Sequence, residues 1–393
     1  MNAELLRGIR FFTRETNILD SLSVACGAGE RTERALDGDC RDGSVFDLAS
    51  ATKLFTGLCM MRLKEEGLLD FSRPVLVYDS RFTRLGDITP EQLMSFAVTV
   101  KTPERLDACP DREAALQALF AAEPGERPAR RVYSDIPAMI LKYVIEAAAG
   151  MPFYDCVKQM ILAPAGMTET WAAVPPERTA DCQDYNREHR IEGTARILRT
   201  DARPGVPHDP KAAVLQGETG DLCGHAGLFS TMDDMIRFCR AVLDERIVSA
   251  ASLREMAVNR TGKSLPDGTH TQYLGYQCYV RHPEQYWSEI PVYMGRQAFG
   301  IGGFTGNHVS VDPERGLFTV FLGNRVKNRL TVLIPEEGKT LTDYGLNPDG
   351  TGTYRWEDGE TVASSVKYVH QKDKYLHSAV MKALELPEVS CQW

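Results

Sequence analysis

Apolar residues at helical spacing mark the region around residue 50. Leu54, Leu58 and Met61 recur three or four residues apart, and Gly67 suits the C-terminal end of a helix. The pattern predicts a buried helix within residues 46–67 that begins near Ser50. Comparable patterns predict helices over residues 112–122, 136–149, 153–163 and 232–243.

A different pattern dominates towards the C-terminus. Residues 308–311 alternate between apolar and polar, residues 312–316 (DPERG) have turn composition, and residues 317–322 are apolar with aromatic and β-branched side chains. This order predicts an antiparallel hairpin. The following residues 335–374 are polar, acidic and glycine-rich and predict a long excursion, after which residues 375–386 predict a closing helix.

These elements indicate an α/β (α+β) fold with two regions. We expect an antiparallel sheet built from both chain ends, residues 1–48 and 285–393, flanked by helices. A mostly helical region, residues 49–284, would be inserted between them, and residues 335–374 would form a further insertion. Together they would make one unit with a site at the junction of the two regions.

Composition and charge narrow the class of partner. The 393 residues are 43% hydrophobic and 25% charged, which is typical of a compact globular protein. A net charge of −9 argues against nucleic acid or an anionic membrane as the main partner and favours a small-molecule substrate. Arg7, Arg10 and Arg14 interrupt every apolar run near the N-terminus, so we expect a cytoplasmic protein.

The ten cysteines have no regular spacing. They are scattered from Cys26 to Cys391 without a C-x-x-C pair. This scatter predicts reduced thiols that serve as small buried apolar residues, and it predicts neither a metal site nor a cofactor.

The first candidate for chemistry is Ser50-Ala51-Thr52-Lys53. A serine hydroxyl needs a base to become a nucleophile, and a lysine three residues further along a helix lies on the same face. The tetrad alone has little specificity, because Ser50 could simply cap a helix and because residues 364–367 (SSVK) repeat it. Only the first copy opens an apolar helix, so we take the copy at 364 as chance.

The second candidate is Tyr133-Ser134-Asp135, between the Pro/Arg-rich loop 128–131 and an apolar helix. A tyrosine in such a position could transfer protons, and a neighbouring cation such as Lys53 would be needed to stabilise its phenolate. A packed surface tyrosine is the alternative interpretation.

The third candidate is the glycine-rich stretch 299–306 (FGIGGFTG) directly before the hairpin. Glycines allow a strand edge to approach a substrate closely, so that backbone N–H groups could stabilise an oxyanion. Phosphate binding is the alternative, but the helix and lysine that a P-loop requires do not follow.

Taken in this order, the three segments resemble the β-lactamase-related serine hydrolases, which comprise class C β-lactamases, penicillin-binding DD-peptidases and related esterases. Residues 208–212 (HDPKA) and 224–231 (GHAGLFST) are similar to esterase-like and peptidase-like members. The resemblance extends over about residues 44–325. It implies a β-lactamase/transpeptidase-like fold and an acyl-enzyme that acts on a small ester, an amide or a D-amino-acid peptide.

The resemblance also implies residue roles. Ser50 would be the acylated nucleophile, Lys53 its proton partner and Tyr133 the later base. The N–H groups of Ser50 and Phe304, next to Gly303, would form the oxyanion hole. Asp135 stands where many members have asparagine, and it would bring a negative charge to the site.

One segment departs from the family pattern. Ile301 and Gly302 stand where the family usually has a lysine or histidine followed by a small hydroxyl residue. The loss predicts weak β-lactam hydrolysis and leaves uncharged esters or amides as substrates. His225 or His208 could supply the missing polar group in substrate binding, and Ile301→His would be expected to raise activity towards carboxylate-bearing substrates.

Two other classes of function remain open from the sequence. The loss at residues 301 and 302 is compatible with a catalytically silenced member of the fold that binds a ligand or partner. A metallohydrolase that uses His208, Asp209 and His225 is disfavoured, because no H-E-x-x-H helix or paired spacing is present.

Overall fold

The computed structural model describes residues 2–128, 131–282, 289–356 and 358–389. Within these ranges the α-helices are Ala3–Arg10 (α1), Thr52–Glu65 (α2), Val75–Tyr78 (α3), Pro90–Met94 (α4), Arg112–Phe120 (α5), Ile136–Ala149 (α6), Phe153–Val157 (α7), Ala163–Ala165 (α8), Pro210–Leu215 (α9), Met232–Leu243 (α10), Ala250–Met256 (α11) and Tyr368–Ala383 (α12).

The β-strands are Ser21–Ala28 (β1), Arg31–Gly38 (β2), Phe46–Asp47 (β3), Thr99–Lys101 (β4), Glu123–Gly125 (β5), Thr170–Trp171 (β6), Glu188–Glu192 (β7), Ala195–Arg199 (β8), Phe229–Ser230 (β9), Tyr279–Val280 (β10), Phe299–Gly302 (β11), His308–Asp312 (β12), Leu317–Asn324 (β13), Arg329–Ile334 (β14), Thr353–Arg355 (β15) and Thr361–Ser364 (β16).

The main sheet has six antiparallel strands in the order β10-β11-β12-β13-β1-β2. The N-terminal hairpin joins the C-terminal strands where β1 pairs with β13, with Ser21 opposite Asn324. The predicted fold class and the predicted β12–β13 hairpin are confirmed. The expected boundary between residues 284 and 285 lies outside the described residues.

Helices cover both faces of this sheet. Side chains of α1 and α12 pack with Leu22, Val24 and Phe321 on one face. Helix α2 and helix α10 pack with Phe318 and Val320 on the other. Because β13 is covered on both faces, all eight of its residues are buried, and its sequence is a nearly continuous apolar run.

A second sheet, with the order β15-β16-β14-β7-β8, corrects two expectations. Residues 335–374 are only partly an irregular excursion, because they contribute β15 and β16. Residues 188–199 form a hairpin within the region expected to be mostly helical, and β14 pairs with β7 in parallel. Strands β7 (EHRIE) and β8 (ARILR) are short and rich in charge, so their apolar pattern is weak and distant pairing decides their structure.

The helix predictions are accurate where the apolar pattern is strong. Helices α6 and α10 have the predicted bounds, whereas the predicted helix over 153–163 is interrupted by a π-helical turn at Lys158–Leu162. The closing helix begins at Tyr368, seven residues before the prediction. Its first turns are polar, and their burial against the sheet is a tertiary effect.

Among the described cysteines, all nine thiols are free and seven are buried. Cys391 lies outside the described residues. Across the part of the chain that the structure covers, no single helix has the length and apolarity to cross a bilayer. Ile136–Ala149 and Phe153–Ala165 satisfy these criteria only as a pair bent by 75°, and they lie in the main core.

Candidate active site

Ser50 lies in a short 3₁₀ turn, Ala49–Ala51, that leads directly into α2. The preceding residue, Ala49, has a φ of +47°, in the left-handed region that alanine rarely adopts. The Asp47 carboxylate holds this turn by accepting the Ala49 N–H at 2.8 Å. Strain of this kind persists only where the surroundings impose it, and it is common next to functional groups.

The Lys53 ammonium is fully buried and has three polar partners. Its Nζ lies 3.2 Å from Ser50 Oγ, 2.7 Å from Asp135 Oδ1 and 3.0 Å from the His225 carbonyl oxygen. The predicted Ser50–Lys53 pair is therefore in contact. The Asp135 carboxylate supplies the counter-charge that a buried ammonium requires.

A chain of alternating charges continues behind Lys53. Lys211 bridges Asp135 at 3.1 Å and Asp209 at 3.3 Å, and Asp209 lies 2.9 Å from His225 Nε2. Burial works to lower the pKa of His225, but Cys223 and the Asp209 carboxylate outweigh it and raise this pKa to about 10. The imidazole is therefore charged at neutral pH, and it completes a network of three cations and two carboxylates.

His225 differs from its expected role. It is fully buried and does not line the cavity in front of Ser50. Its carbonyl oxygen binds Lys53 and its ring holds Asp209. The expectation that His225 contacts substrate is therefore wrong for this structure, and its contacts are those of a positioning residue.

Tyr133 lies between two other aromatic rings, Phe96 at 5.5 Å and Tyr279 at 5.7 Å between centroids. Gln272 Oε1 fixes its backbone by accepting the Tyr133 N–H at 3.0 Å. The Lys53 ammonium lies 4.9 Å from the centre of the Tyr133 ring. The tyrosine hydroxyl is enclosed, which excludes the interpretation as a packed surface tyrosine.

The protonation state of Tyr133 also differs from the expectation. Burial raises the pKa of its phenol well above the usual value, the Asp135 charge adds to the rise, and an interaction with the Ser50 hydroxyl opposes it. Because Asp135 pairs with Lys53, the lysine charge does not suffice to stabilise a phenolate. Tyr133 is a neutral phenol at pH 7, a form that donates a proton.

The glycine-rich segment approaches the Ser50 turn closely. A Cβ on Gly303 would lie 2.6 Å from the Leu48 carbonyl oxygen, so only glycine permits this approach. The Gly303 N–H already donates to the Asn307 carbonyl at 2.8 Å. Of the two residues proposed beside the oxyanion, Phe304 is therefore the one whose N–H remains to act with that of Ser50.

Asp47 links the parts of the site, and the sequence analysis missed it. Its carbonyl oxygen accepts hydrogen bonds from Thr305 Oγ1 at 2.8 Å and Asn307 Nδ2 at 2.6 Å. Its Oδ2 accepts the His208 N–H at 2.7 Å. One buried residue thus ties the nucleophile turn to the glycine-rich segment. The sequence feature that could have indicated this link is the two polar residues after Phe304, Thr305 and Asn307.

The two positions that depart from the family pattern differ in their surroundings. Ile301 is fully buried in the main apolar core and does not line the cavity. Gly302 does line the cavity, and a Cβ there would lie 2.7 Å from Glu289 Oε2. The Glu289 carboxylate, which is close to Lys372, therefore occupies the space in which a side chain at position 302 would stand.

A cavity of about 450 Å³ opens in front of Ser50. Tyr133, Asp135, Gly303 and Phe304 line it, whereas Lys53 lies behind Ser50. Its charged lining residues are Arg105, Asp107, Arg131, Asp135, Glu188, Arg190, Arg199, Asp209, Lys211, Glu289, Arg325 and Lys372. Seven of these are cations and five are carboxylates, so the cavity is more basic than the acidic chain as a whole.

One group of residues has the geometry to approach a metal ion. Asp135, Asp209 and His225 place one ligand atom each within 4.8 Å of one another. Lys211 already bridges the two carboxylates, and Lys53 pairs with the first. The cations of the chain itself neutralise this cluster, and it has the composition of a charge network. His208, the other residue of the metal alternative, pairs with Glu188 at 3.1 Å.

The second S-x-x-K tetrad lies outside the cavity in front of Ser50. Ser364 is fully buried at the end of β16, and neither Ser364 nor Lys367 lines the cavity in front of Ser50. The interpretation of this copy as chance is consistent with its position.

Comparisons with known sequences identify a family and a group of similar proteins. The family model described as "Beta-lactamase" matches residues 20–336. A protein of Escherichia coli O157:H7 named "Putative D-alanyl-D-alanine carboxypeptidase" is 25% identical over 349 residues, which covers 80% of this chain and 76% of that protein. A protein of Salmonella typhi with the same name is 26% identical over 340 residues, with the same coverage.

Two solved structures share the fold. EstA of Arthrobacter nitroguajacolicus Rue61a superposes with a TM-score of 0.64 at 16% sequence identity and covers 97% of this chain and 96% of its own. The octameric penicillin-binding protein homologue of Pyrococcus abyssi superposes with a TM-score of 0.60 at 20% identity, over 82% of this chain and 73% of its own. At these identities the likeness concerns the fold.

Proposed function

Because this chain belongs to the Beta-lactamase family, whose members share a serine-hydrolase fold, we propose that it is a hydrolase that forms an acyl-enzyme on Ser50. The substrate would be a small ester, an amide or a D-amino-acid peptide. One observation carries the proposal: the Ser50 hydroxyl lies 3.2 Å from a buried lysine amine and faces a cavity of about 450 Å³.

Acylation begins with attack of Ser50 Oγ on the substrate carbonyl carbon. For this step the Lys53 ammonium first releases one proton to solvent, and the resulting amine takes the hydroxyl proton at Nζ as the Oγ–C bond forms. The carbonyl oxygen becomes an oxyanion, and the N–H groups of Ser50 and Phe304 stabilise it. Asp135 then stabilises the ammonium that forms on Lys53.

Collapse of the tetrahedral intermediate breaks the bond to the leaving group. Tyr133, a phenol at neutral pH, donates its proton to the departing oxygen or nitrogen and recovers one from the Lys53 ammonium. Water then attacks the acyl-enzyme with the same two groups in reverse, which releases the acid and restores Ser50. Each cycle therefore consumes one water and leaves the protonation of the enzyme unchanged.

The names of the curated relatives favour a peptide that ends in D-alanine, and the name of EstA favours an ester. The absence of a polar side chain at residue 302, where the Glu289 carboxylate occupies the space, argues against efficient β-lactam hydrolysis. We therefore place simple esters and D-amino-acid peptides ahead of β-lactams among the substrates to be tested.

Covalent labelling tests the proposal. The protein is incubated with a fluorophosphonate and, separately, with a fluorescent penicillin, and the adducts are measured by intact mass. We expect one fluorophosphonate adduct on the parent protein and none on Ser50→Ala. Ser364→Ala, which alters the second S-x-x-K tetrad, is the matched control and should be labelled like the parent.

The outcomes distinguish the two functional classes. An adduct on the folded parent that persists in Ser50→Ala would contradict the assignment of the nucleophile. The absence of labelling by both reagents, with folding verified by circular dichroism, would favour the silenced binding protein.

A further inference from the structure

Arg325 is a buried cation in the wall of the cavity in front of Ser50. It follows β13 directly, is 7% exposed and lines the cavity. Its guanidinium lies 5.0 Å from the centre of the Phe304 ring and 6.0 Å from that of Tyr368. Its backbone N–H donates to the Thr305 carbonyl at 2.9 Å, which fixes it next to the glycine-rich segment.

The hydrogen-bonding capacity of this guanidinium is largely unused. Nη2 donates to the Thr331 carbonyl at 2.5 Å, and Nε is enclosed without a partner. Among the described residues, no carboxylate lies within 4 Å of Arg325. Glu188 acts on it only at longer range and pairs with Arg199 and His208.

Other cations of the cavity wall are neutralised by neighbours. Examples are Arg105 with Asp107, Arg199 with Glu188, Lys211 with Asp135 and Lys372 with Asp373. A buried charge without a counter-charge is costly, and proteins keep one where a ligand supplies the partner. Burial lowers the pKa of Arg325 to about 10, so the group is still charged at neutral pH.

The contacts of Arg325 also fix where in the substrate its partner would be. Arg325 contacts Phe304 and Tyr368, whereas Tyr133 lies against Phe96 and Tyr279. These two sets share no residue, so Arg325 and Tyr133 face the cavity from separate groups of side chains. Under the proposed function Tyr133 protonates the leaving group, so a group held by Arg325 belongs to the acyl part.

We propose that Arg325 binds a carboxylate carried by the acyl part of the substrate, which makes it a specificity-determining residue of this site. The guanidinium suits this role because it offers planar, paired donors to a carboxylate. The proposal rests on the proposed acyl-enzyme function for the direction of the substrate, and the experiment separates the two.

Three chromogenic esters locate the carboxylate. 4-Nitrophenyl hemiglutarate carries it on the acyl part, 4-nitrophenyl pentanoate is its neutral analogue, and 4-pentanoyloxybenzoate carries it on the leaving group. We expect kcat/KM of the parent to be highest for the hemiglutarate. In Arg325→Gln the ratio of kcat/KM for hemiglutarate to that for pentanoate should fall about 10- to 100-fold, mainly through KM.

Two further variants control this measurement. Arg105→Gln removes a cation from the rim of the same cavity, but this guanidinium is exposed and paired with Asp107, so the ratio should stay within about 2-fold. Arg325→Lys keeps the charge and should retain part of the preference. It also serves as the test if Arg325→Gln does not fold.

An unchanged ratio in Arg325→Gln would overturn the proposal. A selective loss with 4-pentanoyloxybenzoate would overturn the placement on the acyl part. If the parent hydrolyses none of the three esters, the proposed function fails. In that case the role of Arg325 as an anion-binding residue is tested by the binding of monomethyl glutarate to Ser50→Ala, measured by isothermal titration calorimetry. If the double variant Ser50→Ala/Arg325→Gln binds monomethyl glutarate at least 10-fold more weakly than Ser50→Ala, the anion site is supported. Equal binding by the two proteins rejects it.

Discussion

The Lys53 ammonium lies closer to the Asp135 carboxylate, at 2.7 Å, than to the Ser50 hydroxyl, at 3.2 Å. The acid in the second motif is therefore bound directly to Lys53, the proposed proton partner of Ser50. It is in turn balanced by Lys211 on its other oxygen. The Ser50–Lys53 pair is thus part of a network of charges that extends beyond these two residues.

Removal of Lys53 should abolish acylation. Lys53→Ala deletes the group that accepts the serine proton, and we expect the rate of fluorophosphonate labelling to fall by about 10²- to 10⁴-fold. Intact-mass kinetics measure the rate, and circular dichroism checks the fold. Lys367→Ala, from the other tetrad, is the control. Labelling of Lys53→Ala at the parental rate would remove Lys53 from the mechanism.

Neutralising Asp135 should alter the pH dependence of hydrolysis. The Asp135 charge contributes to the raised pKa of Tyr133, so Asp135→Asn lowers that pKa. If protonated Tyr133 donates to the leaving group, the alkaline loss of kcat moves to lower pH in the variant. A pH profile of ester hydrolysis measures this limb. An alkaline limb at the same pH in both proteins would contradict the role of Tyr133 as a proton donor.

His225 should stabilise the fold in a pH-dependent way. Its pKa is raised to about 10 in the folded protein, against about 6.5 in an unfolded chain. The stabilisation is therefore fully present below about pH 6.5 and is lost as the pH rises to about 10. Urea unfolding should show a larger difference between parent and His225→Gln at pH 6 than at pH 9. Equal differences would mean that folding does not shift the pKa of His225, and a larger difference at pH 9 would mean that the folded protein holds the imidazole neutral.

Gly303 should tolerate no side chain. The Cβ of Gly303→Ala would meet the Leu48 carbonyl oxygen at 2.6 Å, and because this is a backbone atom, relief requires a shift of the Phe304 segment or of the Ser50 turn relative to the other. We expect kcat to fall by at least about 10-fold, in line with loss of an oxyanion donor. Gly125→Ala, where the nearest atoms lie at 3.4 Å, is the control and should be active.

Ile301→His has a different expected outcome now that its surroundings are known. The side chain at 301 is fully buried among apolar residues and does not face the cavity. A histidine there would bury a polar ring without a partner and should destabilise the protein by about 1–3 kcal/mol. Denaturant unfolding measures this loss. A gain of activity towards carboxylate-bearing esters would restore the expectation drawn from the sequence.

The sequence predicted those parts of the site that are local in the chain. Ser50 and Lys53 are one helical turn apart. The glycines near Phe304 predict that the backbone there approaches another segment of the chain closely. The Tyr133 hydroxyl could be assigned to the same site only through the order of the motifs. The main sheet and the long helices were predictable because their apolar patterns are strong.

The sequence did not predict the groups that act across long separations. The Asp47 carbonyl meets Asn307 across 260 positions, and Arg325 comes to lie against Phe304 only when the hairpin folds. A carboxylate or guanidinium has the same appearance in a sequence whether it is paired or free. Only the folded structure distinguishes Arg325 from Arg105, which is exposed and paired.

The second sheet has a consequence for how this protein could diverge. Glu188, Arg190 and Arg199 reach the cavity from β7 and β8, which are joined through β14 to the strands of the C-terminal excursion. The turn that carries Ser50 belongs to none of these strands and leads into α2. Under the proposed function, changes in the second sheet would therefore alter the charges that face a substrate and leave the Ser50–Lys53 pair in place.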